Sequence, residues 1–297
     1  MASRRFPVLL AAAALCLVPA ACGSDDDESS GGGSPESAET AAVTFETTEP
    51  SRNKVAIDGP SEIEAGVVEI TLKNSGKGRH DAQILRVEGN RTADEVISKS
   101  IDSGEGAGIP EWITDGGGLG TVAPGESATV TEVLEPGTYF LLDSESSAEN
   151  APPNARKGGV AKFEVTGEAT SAELPETDAT ITAKDFSFEA SGIKPGMNRF
   201  TFENTGKELH HLIAMPINEG ATFAEVEKLF KSNEEPKGPP PVDFENGVGT
   251  AVIDGGQAQI AELEFKKGKY ALVCFITNRA GGPPHVAMGM IDELDVK

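Results

Sequence analysis

Apolar and polar residues alternate along this chain in short stretches, and the same order of elements is written twice. Arg199-Phe200-Thr201-Phe202 is one such stretch, inside ATITAKDFSFEASGIKPGMNRFTFENTG; KVAIDGPSEIEAGVVEITLKNSG is its earlier equivalent. Alternation of this kind predicts half-buried strands, with Pro195-Gly196 as a turn and Gly66 at the place of Gly196. A strand through His210 is expected next, then one helix. Thr222-Phe223-Ala224-Glu225 is a T-x-x-E capping box opening EVEKLFKS, and Thr92-Ala93-Asp94-Glu95 repeats it. After a Pro/Gly-rich loop, AVIDGGQAQIAELEFKKGKYALVC predicts two strands, matched by TVAPGESATVTEVLEPGTYFLLD, and a last short strand closes each copy. Short strands between Gly-rich turns, with one helix inserted, predict a small antiparallel sandwich per copy. Tyr139 and Tyr270 hold the same place in G-x-Y and read as packing anchors.

The repeat is close enough to compare column by column. NSGKGRHDAQILRVEGNRTADEV (74–96) lies without a gap over NTGKELHHLIAMPINEGATFAEV (204–226), and PPNARKGGVAKFEV over PPHVAMGMIDELDV. Cys274 then faces Asp143, His285 faces Asn154 and Met290 faces Gly159, while His210 faces an identical His80. A Cys, a His and a Met absent together from one copy behave as one unit. Thiolate and thioether ligands combined with imidazole suit copper.

The segment GKYALVCFITNRAGGPPHVAMGMIDELDV resembles the C-terminal end of a cupredoxin, with G-x-Y, a Cys, a His, then a Met before a short final strand. The likeness covers essentially all of the second copy and the first in outline. It implies an all-β fold of two tandem cupredoxin-like Greek-key β-sandwiches, each with one short inserted helix. It also implies one copper per chain in the second domain, held by His210, Cys274 and His285 with Met290 as the weak axial ligand. Strand alternation places His210 and His211 on opposite faces, so one of them points at the site. Asp81 opposite His211 makes that column look free to vary, which favours His210. Met288 fits the family register less well than Met290. Ten residues separate Cys274 from His285, more than in the smallest family members, and the first copy keeps the same spacing between Asp143 and Asn154.

The amino terminus belongs to neither copy. Arg4 and Arg5 precede the apolar stretch VLLAAAALCLV, too short to span a bilayer comfortably, and small residues lead to Cys22. Ala20-Ala21-Cys22-Gly23 resembles the lipobox of bacterial lipoproteins, although Pro19 stands where a larger aliphatic residue is usual. The resemblance implies lipidation of Cys22 and an exported protein held at the outer face of a bacterial membrane. The expected layout is a signal peptide over 1–21, an acidic tether over 22–41, a degenerate domain over 42–167, a linker over 168–177 and the copper domain over 178–297.

Net charge is −23, and losing Arg4 and Arg5 with the signal takes it to −25. So acidic a surface repels phosphate backbones, which argues against nucleic acid as a partner. Of three Cys, Cys16 would leave with the signal and Cys22 would carry lipid. Cys274 is then the one free thiol in an oxidising setting, a liability unless it is buried or held by a metal. Gly116-Gly117-Gly118 and Gly281-Gly282 read as loops without the strand–turn–helix setting of a phosphate cradle. The expected role is single-electron transfer to a redox partner protein rather than catalysis. A copper store or delivery protein, and a metal-free cell-surface interaction module, are the alternatives.

Overall fold

A computed structural model describes residues 40–101, 107–148, 151–169, 171–231 and 238–297; Cys16 and Cys22 lie outside them. The first copy contributes β1 (Ala41–Ser51), β2 (Lys54–Asp58), β3 (Glu62–Glu64), β4 (Gly66–Asn74), β5 (His80–Val87), α1 (Ala93–Ser100), β6 (Ile113–Val122), β7 (Ser127–Leu134), β8 (Gly137–Leu142) and β9 (Val160–Thr166). The second contributes β10 (Thr180–Lys184), β11 (Ser187–Ser191), β12 (Gly196–Asn204), β13 (Ile213–Pro216), α2 (Phe223–Lys231), β14 (Val248–Gly249), β15 (Ala258–Phe265), β16 (Gly268–Val273) and β17 (Ile291–Val296). The fold is all-β in two sandwiches with one helix apiece, as the repeat predicts. Among the described residues no helix is long and apolar enough to cross a membrane.

The two sandwiches share a sheet. Eight strands run in the order β11-β10-β12-β15-β7-β4-β1-β2, so the two copies join where β15 pairs antiparallel with β7. Ala261 pairs with Val130, its own counterpart in the repeat, so the seam is a like-with-like contact of the kind a two-fold axis generates. The pairing also removes two exposed sheet edges. Each copy then packs a second sheet against its half: β3-β9-β8-β5-β6 in the first, β14-β13-β16-β17 in the second. The described residues form a single compact unit.

Each sandwich interior is filled by the inward side chains of both sheets. Phe200, Phe202 and Phe265 meet Leu212, Leu272, Cys274 and Met290, while Phe45, Ile70 and Leu72 meet Ile84, Leu141 and Phe163. Fully burying each such aromatic or aliphatic side chain contributes about 1.5–3 kcal/mol. The helices cover the outer faces: Val96 and Ile97 of α1 sit on Leu85, Phe140 and Leu142, and Val226 of α2 on Met215, Ala271 and Val273. This is why Tyr139–Leu142 and Tyr270–Cys274 are unbroken buried runs rather than alternating ones. Both capping boxes form: the Glu95 amide donates to Thr92 Oγ1 at 3.2 Å, and the Glu225 amide to Thr222 Oγ1 at 3.3 Å. Both Tyr are buried anchors; Tyr139 donates its hydroxyl to the Glu135 carbonyl and Tyr270 accepts the Lys266 amide.

Two sequence expectations need correction. His210 does not lie within a strand: it forms an isolated bridge to Ile253, and β13 begins only at Ile213. The Ile253 bridge takes both of its backbone groups, and Asn204 takes the Glu208 carbonyl just before it, so the pairing stays a single bridge. Gly116-Gly117-Gly118 is not a loop but the middle of β6, where the register with β5 shifts twice. A side chain on Gly118 would place Cβ 1.9 Å from the Ala82 carbonyl oxygen, so the strand crosses β5 at a distance only glycine permits.

Candidate metal centre

Asn204, the last residue of β12, starts the site. Its side-chain oxygen accepts the Gly206 amide at 2.9 Å, and its Nδ2 donates to the carbonyls of Glu208 (2.7 Å) and Ile253 (3.2 Å). This Asx-type turn folds residues 205–209 back on themselves and delivers His210 into the sandwich. Asp185, just past β10, accepts the amides of Lys207 and Glu208, and its Oδ1 lies 3.2 Å from His210 Nε2. Burial would raise the Asp185 pKa, but the two amides and the imidazole outweigh it and hold the carboxylate ionised. Nε2 of His210 therefore carries the proton and Nδ1 the lone pair.

Cys274 directly follows β16, and His285 opens a single 3-10 turn, His285–Met288. That turn is pinned by Val286 N–H on the Cys274 carbonyl (2.8 Å) and His285 N–H on the Ile276 carbonyl (2.9 Å). Nε2 of His285 faces the side-chain oxygen of Asn278 at 2.9 Å, so this ring too presents its Nδ1 inward.

The three inward atoms form a triangle. Cys274 Sγ is 3.7 Å from His210 Nδ1 and 3.5 Å from His285 Nδ1, and the two nitrogens are 3.1 Å apart. The centre of a triangle with those sides is about 2.0 Å from each corner, close to the distance at which imidazole nitrogen binds a d-block metal, about 2.0–2.1 Å. All three residues are fully buried. Two acceptor lone pairs 3.1 Å apart with a single thiol proton between them cannot all be satisfied, and a cation at the centre would satisfy them together. The donor set thus fits a soft metal. Burial first, then the neighbouring His210, pushes the His285 pKa down to about 4, and burial lowers that of His210. Burial raises the Cys274 thiol to about 11, with the amides of His211 and Ile276 pulling the other way.

Of the sequence-predicted ligands, the structure brings His210, Cys274 and His285 together. Met290 is fully buried in the same core cluster as Cys274, with its amide on the His285 carbonyl at 2.9 Å, whereas Met288 is 42% exposed. His211 points elsewhere: its Nε2 accepts the Phe275 amide at 2.9 Å, and burial holds its pKa near 3. Sequence reading missed Asp185 and Asn278, because both act on the far ring nitrogen and neither belongs to a ligand spacing.

The first copy builds the same frame around a different charge. Asn74 makes the same turn through Gly76 and Gly78, and Glu49 takes the part of Asp185, accepting the amides of Lys77 and Gly78. At the centre, His80 Nδ1 lies 2.5 Å from Asp143 Oδ2, with Asn154 Nδ2 at 3.3 Å from Asp143 Oδ1. Burial alone would lower the His80 pKa, but Asp143 and Glu49 raise it. A hydrogen-bonded His80–Asp143 pair, with Asn154 beside it, occupies the place of the thiol and second imidazole.

No protein-family model matches the sequence, and no curated protein matches it. Among solved structures, dithionite-reduced auracyanin from the photosynthetic bacterium Roseiflexus castenholzii aligns at 23% identity, over 43% of this chain and 99% of that one, with a TM-score of 0.29. Copper nitrite reductase from Nitrosomonas europaea aligns at 15% identity over 87% and 94%, with a TM-score of 0.27. A multicopper oxidase aligns at 15% identity over 86% and 88%, with a TM-score of 0.24.

Proposed function

We propose that the second sandwich would hold one copper ion through Nδ1 of His210, Sγ of Cys274 and Nδ1 of His285, with Met290 as a further, weaker ligand, and that the protein passes single electrons. The observation that carries this reading is the convergence of one thiol and two imidazole lone pairs on a point about 2.0 Å from each. When bound, copper would supply a one-electron couple tuned by the residues around the sulfur.

The chain's own groups do the rest. Asp185 and Asn278 fix the tautomer and the rotation of the two rings, so that both lone pairs face inward before any metal arrives. The ring edge of Phe186, 5.0 Å between centroids from His285, and the packed sandwich keep water from the donors. His210, Cys274, His285 and Met290 are all without exposed surface, which supports electron transfer over catalysis. A copper store or delivery protein would share the ligands, but burial of this depth opposes ready release.

Lipidation of Cys22 would tether the protein to the outer face of a bacterial membrane, where a soluble or membrane redox protein would be its partner. The support is the basic, apolar and small-residue succession ending at Ala-Ala-Cys-Gly. Metal analysis with a visible spectrum on the full chain tests the copper reading.

A further inference from the structure

Between Cys274 and His285 the chain makes a loop whose middle lies against the first copy. The Arg279 carbonyl accepts the Ile109 amide at 2.9 Å. Its guanidinium donates through Nη1 to the carbonyls of Pro110 and Ile113 at 3.1 Å and of Ile109 at 3.4 Å, and through Nη2 to Asp254 at 2.5 and 2.6 Å. Asp254 is itself tied to the first copy: its Oδ2 accepts the Asp115 amide, and its own amide donates to the Asp115 carbonyl, both at 2.9 Å. The approach is tight, since a Cβ on Gly108 would lie 2.6 Å from the Arg279 carbonyl oxygen.

The other side of the same loop reaches the metal donors. Asn278, the preceding residue, orients His285 through Nε2, and the Arg279 amide donates at 2.7 Å to the carboxylate of Glu208, two residues before His210. In the first copy the equivalent positions are Ser147 and Ala148, which carry no such arm.

We infer that the first copy is a clamp on the metal-binding loop of the second, and that Arg279 is its positioning residue. The consequence for copper rests on the reading of His210, Cys274 and His285 as a metal centre; the clamp itself is a property of the metal-free chain. A loop of this length would otherwise have to be ordered as the metal binds. A guanidinium whose fork meets three carbonyls and one carboxylate holds the loop in place beforehand. The first copy, without the Cys, His and Met of the second, thereby has a role as the scaffold that braces its neighbour's site.

The test follows alkylation of Cys274 by iodoacetamide in the full, copper-free chain, scored by mass spectrometry of the Cys274 peptide. The buried thiol reacts only when the loop opens. Arg279→Ala and, independently, Gly108→Ala are expected to raise the rate on the order of tenfold, the weight of one hydrogen bond to a charged group. Arg279→Lys, which keeps the charge but not the fork, should fall between. Rates within about twofold of the original, or increases fully matched by lost global stability in urea on the same samples, overturn the clamp. After copper loading, Arg279→Ala should also shift the visible band and the reduction potential. A starting protein that takes up no copper defeats the metal reading alone, since the alkylation result still decides the clamp.

Discussion

The ring of His211 accepts the amide hydrogen of Phe275, the residue after the thiol, at 2.9 Å, and Asp81 accepts the amide of Ser144 at 2.6 Å at the equivalent place in the first copy. The column looked free to vary because its residues differ, yet both supply an acceptor to the same backbone N–H. His211 is therefore a brace for the strand end that presents Cys274. His211→Leu removes the acceptor of the Phe275 amide, a bond close to the surface, and should cost about 0.5–1.5 kcal/mol of stability. His211→Asn keeps a side-chain acceptor and should cost less. Urea denaturation of the three proteins checks the order; equal losses for Leu and Asn would mean the acceptor does not matter.

The first copy should be convertible toward metal binding through Asp143→Cys and Asn154→His, with His80 retained. Gly159, opposite Met290, should be left alone: a Cβ there would lie 2.9 Å from the carbonyl carbon and oxygen of Asn154 and 3.1 Å from the Asp143 Cβ. The obstacle is space rather than backbone conformation. The double variant should raise copper uptake from one to two per chain, and adding Gly159→Met should lower it again along with stability. Metal analysis of both variants reads this directly.

At the seam, Glu132 and Gln259 are buried around Gly117, and neither carboxylate oxygen of Glu132 has a hydrogen-bond partner in the described residues. Burial raises Glu132 to about 8, and raises Asp115 to about 7 with Asp254 adding to the effect. For these acids the folded pKa lies above the unfolded one, so the folded state binds more protons between them. The stability these two acids contribute should be full below about pH 4 and be lost as pH rises through 7 and 8. Glu132→Gln removes one of the two protons at issue and should flatten that fall. Thermal melts across this range check it; an unchanged slope would place the titrating group elsewhere.

What could be read in the sequence, and what could not, follows from how local each determinant is. The capping boxes at Thr92 and Thr222, the Tyr anchors and the Cys–His–Met succession are short patterns whose neighbours in the chain are also neighbours in space. The repeat columns supplied His210 from a distance because His80 survives opposite it. The β7–β15 seam was invisible, since pairing two edge strands depends on their exposed backbone rather than on any side-chain pattern. Asp185 and Glu49 were hidden for a related reason: they sit at different offsets in the two copies, Asp in one and Glu in the other, and a gapless alignment cannot bring them together. The strand foreseen through His210 stops short because the Ile253 bridge takes both of its backbone groups and Asn204 takes the Glu208 carbonyl just before it.

Cys22→Ala tests the tether. Membrane anchorage through lipid needs the thiol, and stable anchoring needs more than one acyl chain. The variant should accumulate as unprocessed precursor or be released in soluble form, measured by fractionation and mass. Processing and membrane retention like the original protein's would show that Cys22 is not the anchor point.

The central claim is that Cys274 and two imidazoles hold one copper, and a visible spectrum taken with metal analysis on the oxidised full chain tests it most directly. One copper per chain and an intense blue or green thiolate-to-copper band are expected, with the band abolished by Cys274→Ser. A chain that stays colourless and copper-free after reconstitution would contradict it, as would a copper band unaffected by Cys274→Ser.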